Sequence, residues 1–102
     1  MSRKDILGRR LQKAIARISE MEAIFDEALR RIDGAKESPE ELIAYQPEIK
    51  RLEEYYSSQE WKEDFALDEE RLLPKDLKRG VLSEDGIYDL LDRNKELSWR
   101  LT

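Results

Sequence analysis

Apolar residues recur along the first third of the chain at alternating steps of four and three residues. This heptad spacing predicts an α-helix with a continuous apolar stripe, extending from about Lys4 to about Asp33. Gly34 follows directly and is predicted to adopt the left-handed conformation that commonly ends helices. The residues of the stripe are Leu7, Leu11, Ala14, Ile18, Met21, Phe25, Ala28 and Ile32.

The first helix is predicted to contact several neighbours and to be long. Ile15, Ile24 and Leu29 widen the stripe beyond a coiled-coil seam, so more than one helix should pack on it. At 1.5 Å per residue the helix would be about 45 Å long. A compact domain of 102 residues does not need this length. We therefore expect one end to project or to pair with a second copy.

A second helix is predicted to begin at Ser38, an N-cap residue followed by Pro39 at the favoured first position. Its apolar stripe continues to Tyr56. Pro47 has no amide hydrogen and should kink or split this helix near Tyr45.

The chain after the second helix is less regular. Residues 57–73 predict one or two helical turns and then an irregular stretch, and residues 74–80 predict a short helical turn stopped by Gly80. A last helix is predicted from the N-cap Ser83 to the C-terminus.

These patterns predict an all-α fold in one domain, residues 1–102. The long N-terminal helix is expected to pack antiparallel against the Pro-kinked second helix and the C-terminal helix, with a short irregular helical segment between them. The sequence has no alternating strand pattern, internal repeat or low-complexity linker that would indicate a second domain.

Histidine and cysteine do not occur in the sequence. Ser–His and Cys–His catalysis in their usual forms are therefore excluded, and the commonest metal ligands are missing. We expect a non-enzymatic protein without a cofactor or metal. No apolar run approaches the roughly 20 residues that span a bilayer, and no signal-peptide pattern follows the basic N-terminus. A cytoplasmic location without a membrane partner is expected.

Charge is distributed unevenly. The first 17 residues contain six basic residues against Asp5 alone, although the whole chain has a net charge of −5. A basic helix end can contact nucleic acid or another anion. The acidic remainder repels phosphates, however, so the pattern favours pairing with acidic faces of the same chain or of a partner copy. The candidate contacts are Arg9, Arg10, Lys13 and Arg17.

Carboxylates are concentrated in residues 60–70. Such oxygen ligands suit Mg²⁺ or Ca²⁺, but the spacing matches neither a bundle metal site nor a calcium loop, and a solvated acidic face is the simpler interpretation. Asp64 differs from its neighbours because it lies between Trp61 and Phe65. We expect its carboxylate to accept hydrogen bonds from backbone amides or from Arg79.

Lys78 and Arg79 precede the predicted N-terminus of the last helix. Two cations beside free amide groups could bind a small anionic ligand. Glu84 and Asp85 already supply negative charge there. The simpler interpretation is therefore an internal ion pair of Arg79 with Asp85 or Asp64, and the anion site stays as the alternative.

Four aromatic residues are further candidate contacts. Tyr55 and Tyr56 are neighbours, about 100° apart on a helix, so they cannot both face one core. Trp61 is expected to pack inward. Trp99, near the C-terminus, is a candidate partner contact; the alternative is that these side chains cover the rim of a small core.

Two strings of residues carry a family resemblance: YYSSQEWKED at 55–64 and LPKDLKRGVLSED at 73–85. Together with a long first helix that contains Met21-Glu22 and a Pro-interrupted second helix, they resemble domain of unknown function family 4298. This is a bacterial family of short uncharacterised helical proteins, largely from Firmicutes and their mobile elements. The resemblance covers most of the chain and implies a small helical domain. It implies no activity and no catalytic residues.

The leading hypothesis is a non-enzymatic protein-interaction protein that self-associates through its long first helix. The alternative is a phage or mobile-element accessory protein that blocks a host protein, mimics nucleic acid or sequesters a small anionic ligand. An enzyme is not expected, because no pair among the remaining reactive residue types stands out.

Overall fold

The computed structural model describes the backbone of residues 3–101 and the side chains of residues 7–101. Within this range the predicted all-α fold is confirmed, with five α-helices, one 3₁₀ helix and no strand. None of these helices is both long and apolar enough to cross a membrane. In chain order they are α1 (Arg3–Asp33), α2 (Pro39–Ala44), α3 (Gln46–Tyr56), α4 (Gln59–Glu69), the 3₁₀ helix (Gly80–Leu82) and α5 (Glu84–Leu101).

The first helix is the spine of the molecule. Its 31 residues correspond to about 46 Å, in a molecule whose longest dimension is 52 Å. α2, α3, α5 and the 3₁₀ helix all pack against α1, as the wide apolar stripe predicts. The large side chains that are fully buried in this core are Ile18, Leu42, Ile49, Leu52, Val81, Ile87 and Leu90.

The α2–α3 segment runs antiparallel to α1, as predicted. Near the end of α1, the Arg31 guanidinium lies 4.5 Å from the ring centroid of Tyr45, which precedes α3. Further along α3, Arg51 pairs with Glu20 in the middle of α1. The chain therefore returns along α1 towards its start.

The orientation of α5 differs from the prediction. Val81, just before α5, bonds to Glu22 in the middle of α1. Arg93, midway along α5, pairs with Asp33 at the end of α1 at 2.8 Å. α5 therefore runs parallel to α1, because the 3₁₀ helix that precedes it already lies beside the middle of α1.

The predicted second helix is split into α2 and α3 at Tyr45. α2 ends at Ala44 and α3 begins at Gln46, which places Pro47 in the first turn of α3, where its missing amide hydrogen costs nothing. Ser38 precedes α2 as predicted, but its side chain makes no capping hydrogen bond.

The region after α3 contains more helix than predicted and places it differently. α4 has 11 residues, and the Oγ of Ser58 accepts a hydrogen bond from the Trp61 amide at 3.2 Å. At the end of this helix Glu69 and Glu70 are exposed, whereas Asp68 is half-buried. Residues 74–77 form a single turn, in which the Leu77 amide donates to the Pro74 carbonyl at 3.2 Å, but no helix. Gly80 begins the 3₁₀ helix instead of stopping one.

The left-handed residue at a helix end is Arg71 and not Gly34, whose φ is not positive. Arg71 has a φ of 59° after the end of α4. The Leu72 amide donates to the Leu67 carbonyl and the Arg71 amide to the Asp68 carbonyl, each at 3.0 Å. This is the Schellman arrangement of bonds, in a position that glycine usually occupies.

Replacing Arg71 with glycine is expected to raise the free energy of unfolding by about 0.5–1 kcal/mol. The left-handed conformation costs a residue with a Cβ about 1–2 kcal/mol, and the greater freedom of glycine in the unfolded chain offsets part of the gain. Urea unfolding followed by circular dichroism measures the change. Arg71→Ala keeps the Cβ, so it should not stabilise the protein. If the glycine variant were less stable than the alanine variant, the left-handed conformation of Arg71 would not be strained.

Candidate functional site

A buried carboxylate lies where α1, α3 and α4 meet. Asp64 is fully buried. The Arg17 guanidinium binds it in a bidentate manner, with Nε 2.9 Å from Oδ2 and Nη2 2.5 Å from Oδ1. The Tyr55 hydroxyl donates to Oδ2 at 2.6 Å, and Glu60 accepts a further bond from Arg17 at 3.2 Å. The donors predicted for Asp64 were backbone amides or Arg79; the observed donors are Arg17 and Tyr55 instead.

The contacts within the Arg17–Asp64–Tyr55 network shift the pKa values of Tyr55 and Arg17. Burial, followed by the hydrogen bond to Asp64, raises the pKa of the Tyr55 phenol. The hydrogen bond to Asp64 likewise raises the pKa of Arg17. Because the folded pKa of Tyr55 lies above its unfolded value, its contribution to stability is present below about pH 10 and is lost as the pH rises further.

The polar groups of the network are satisfied by one another. Every buried polar side-chain atom in the described part of the chain has a hydrogen-bond partner. No group of three carboxylates there, including those of residues 60–70, is arranged to hold a metal ion. The network therefore joins three helices.

The segment at Lys78 and Arg79 is held internally. Arg79 pairs with Asp68 at 2.6 Å and donates to the Pro74 and Lys75 carbonyls at 2.9 and 3.3 Å. The internal role predicted for Arg79 is correct, but its partner is Asp68 instead of Asp85 or Asp64. Lys78 is exposed. The anion site at these two cations stays a prediction.

A second buried carboxylate, Glu22, was missed by the sequence analysis. Its oxygens accept hydrogen bonds from the Gly80 amide at 3.2 Å and the Val81 amide at 2.8 Å. A Cβ on Gly80 would lie 3.3 Å from the Glu22 carboxylate and from the Phe25 ring, so glycine suits this close approach. The only signal in the sequence was a carboxylate one turn after Ile18, on the buried side of the stripe.

The predicted aromatic contacts divide between the core and the surface. Tyr55 is buried and its neighbour Tyr56 is half-buried, as their spacing requires. Trp61 packs inward: it stacks on Phe65 at 5.2 Å, contacts Tyr56 edge-on at 5.1 Å and donates from Nε1 to the Val81 carbonyl. Trp99 lies apart from this cluster and is 82% exposed.

An apolar groove of about 600 Å³ lies between the first half of α1 and the end of α4. The ion pair of Arg17 with Asp64 closes one end. Leu7 and Leu72 line the groove and remain 59% and 49% exposed. Its floor consists of Leu11, Ala14, Ala66 and Leu67.

The walls of this groove have opposite charges. Arg10 and Lys13 line it from α1, and Glu63 on α4 and Glu70 directly after α4 line it from the other side. Arg9 is exposed on the same half of α1 and interacts within the chain. The side chains of residues 3–5, which belong to the predicted basic end, lie outside the described ones. The structure thus brings two predicted contacts, Arg10 and Lys13, together with carboxylates from the acidic stretch.

The comparisons with known proteins identify a family without assigning an activity. Neither the curated proteins nor the solved structures contained a match. A family model described as a domain of unknown function, DUF4298, matches residues 18–102. The match includes Glu22, Tyr55, Asp64 and the 3₁₀ helix, whereas Leu7, Arg10 and Lys13 precede it. The chain belongs to the DUF4298 family.

Proposed function

We propose that the chain is a non-enzymatic, cytoplasmic protein-interaction domain that self-associates through the first half of α1. The observation that carries the proposal is the incomplete burial of the apolar stripe in this half. Leu7 is 59% exposed, whereas Ile18, Ala28 and Ile32 further along the same stripe are buried. Leu11 is half-buried and Ala14 is already buried, so the apolar surface left for a partner lies in the turns around Leu7 and Leu11.

The arrangement of the helices supports the proposal. The elements that pack closely against α1 are α2, α3, α5 and the 3₁₀ helix, and their contacts described above lie between Glu20 and Asp33. Among the described residues, those at the end of α4 and Leu72 share the groove with residues 7–14 of α1, and the groove is open. Burying the two exposed leucines in a partner would contribute favourably to association.

Sedimentation equilibrium from one to one hundred micromolar tests the proposal. We expect a reversible monomer–dimer equilibrium, and a strict monomer across this range would refute it. Leu7→Glu/Leu72→Glu should shift the equilibrium to monomer. Ile43→Glu is the matched control: Ile43 is also an exposed apolar residue, at 46%, but lies on α2 away from the groove. Circular dichroism establishes that each variant is folded.

A phage or mobile-element accessory role is the second candidate, and the exposed carboxylates on α5 support it. Glu84, Asp85, Asp89 and Asp92 are all exposed within three turns of this helix. A protein that blocks a host protein by mimicking nucleic acid would compete with DNA for basic DNA-binding domains, in a salt-dependent manner. Binding that DNA does not displace would contradict mimicry. A thermal-shift panel of nucleotides tests sequestration of a small anion.

A further inference from the structure

The groove between α1 and α4 has a charge pattern that specifies its occupant. We infer that a second copy of this chain fills it, in a two-fold symmetric dimer in which the basic wall of each copy lies against the acidic wall of the other. The inference rests on the proposed self-association and adds the surface, the symmetry and the pairs of charges.

The unpaired charges of the two walls are the first argument. Arg10 and Lys13 on one side and Glu63 and Glu70 on the other are exposed, and none forms a salt bridge with a residue that the structure describes. In contrast, Arg17, one turn beyond Lys13, is already neutralised by Asp64 and Glu60. The charges of the walls are therefore available to a partner at the open end of the groove.

The order of the residues along the groove is the second argument. α4 runs antiparallel to α1, because Arg17 lies beside Asp64 and Leu7 shares the groove with Leu72. Each wall thus presents a row of like charges beside a row of apolar residues. A two-fold axis along the groove would place each α1 opposite the partner's α4 and the two α1 helices parallel, with apolar rows in contact and each basic row facing the partner's acidic row. Such an isologous contact forms every pair of charges twice.

The size of the surface indicates a weak dimer. The half-helix from Leu7 to Arg17 is only about 16 Å long. A contact of this length lies at the low end of specific interfaces, so a dissociation constant in the micromolar range is expected. Because opposite charges contribute to it, the dimer should also weaken as the salt concentration rises.

A charge-reversal experiment with mixing tests the inference. Arg10→Glu/Lys13→Glu places like charges on both walls, and Glu63→Arg/Glu70→Arg does the same with the opposite sign. Each variant alone should dimerise at least about tenfold more weakly than the wild type. An equimolar mixture should recover dimers, because every basic row then faces an acidic one. Sedimentation of the mixture, with one variant fluorescently labelled, measures the heterodimer.

The controls reverse the same number of charges elsewhere. Lys50→Glu/Lys95→Glu and Glu37→Arg/Glu53→Arg alter exposed residues outside the groove and should dimerise like the wild type.

The outcomes separate the inference from the proposed function. If the wild type dimerises and the groove variants do so equally well, the dimer uses another surface and the inference fails alone. Weakened variants that do not recover on mixing would also overturn it. A monomeric wild type would overturn both, and the groove would then belong to a different partner.

Discussion

Replacing Asp64 with alanine is expected to lower the free energy of unfolding by about 3–5 kcal/mol. Removing one member of a buried ion pair costs this much because the remaining charge is left without its partner. Here the substitution would leave the Arg17 guanidinium with Glu60 alone and the buried Tyr55 hydroxyl without its acceptor. A domain of this size has a total stability of roughly 5–15 kcal/mol, so the change should be evident in a urea titration.

A double-mutant cycle distinguishes the ion pair from a general effect of altering the site. Arg17→Met should be nearly as damaging as Asp64→Ala, because it leaves the carboxylate buried with Tyr55 only. Arg17→Met/Asp64→Leu should recover much of the stability, because apolar replacement of a whole buried pair is often neutral. If the two substitutions were simply additive, the pair would not be coupled in the folded protein. Tyr55→Phe removes one hydrogen bond and should cost about 1 kcal/mol.

Replacing Glu22 with alanine is expected to cost about 2–4 kcal/mol. The Glu22 carboxylate is the acceptor for two neighbouring backbone amides, and hydrogen bonds to charged groups contribute about 1.5–3 kcal/mol each. Val81 is fully buried, so its amide would have no water to replace the carboxylate. Urea unfolding measures the loss of stability, and hydrogen exchange at the Val81 amide reports on the contact itself.

Two further variants make the Glu22 result specific. Glu22→Gln keeps one oxygen acceptor and should lose about half as much stability as Glu22→Ala. Glu20→Ala removes an exposed carboxylate from the same helix, where its ion pair with Arg51 lies at the surface, and should change stability by at most about 0.5 kcal/mol. Unchanged exchange at Val81 in Glu22→Ala would show that the contact does not hold the 3₁₀ helix.

Helices with a regular apolar period could be predicted from the sequence because the signal is local. The alternating steps of three and four residues predicted α1 to within one residue of its observed limits. Pro47 predicted the break between α2 and α3 because a missing amide hydrogen acts within one turn. The start of α5 after Ser83 was predicted because an N-cap serine also acts within one turn. The Gly86 amide does donate to the Ser83 hydroxyl at 3.2 Å.

Contacts between distant segments could not be predicted in this way. Asp64 stood out because of its aromatic neighbours, but its partner Arg17 lies 47 positions earlier, and no local pattern connects them. Gly80 looked like a helix stop, whereas the Glu22 carboxylate 58 positions earlier holds it at the start of a 3₁₀ helix. Arg71 adopts a conformation typical of glycine, so its residue type indicated nothing.

The division of α1 into a covered and an open half also affects how the helix fluctuates. Backbone hydrogen bonds near Ile18 can break only when the core around that residue opens, so their exchange reports on global unfolding. Those near Leu7 lie beside the open groove, so we expect them to exchange through local opening that leaves the core intact. We therefore expect local stability to change along this continuous helix near Arg17, where the buried ion pair joins α1 to α4. Association through the open half would then slow amide exchange in the turns around Leu7.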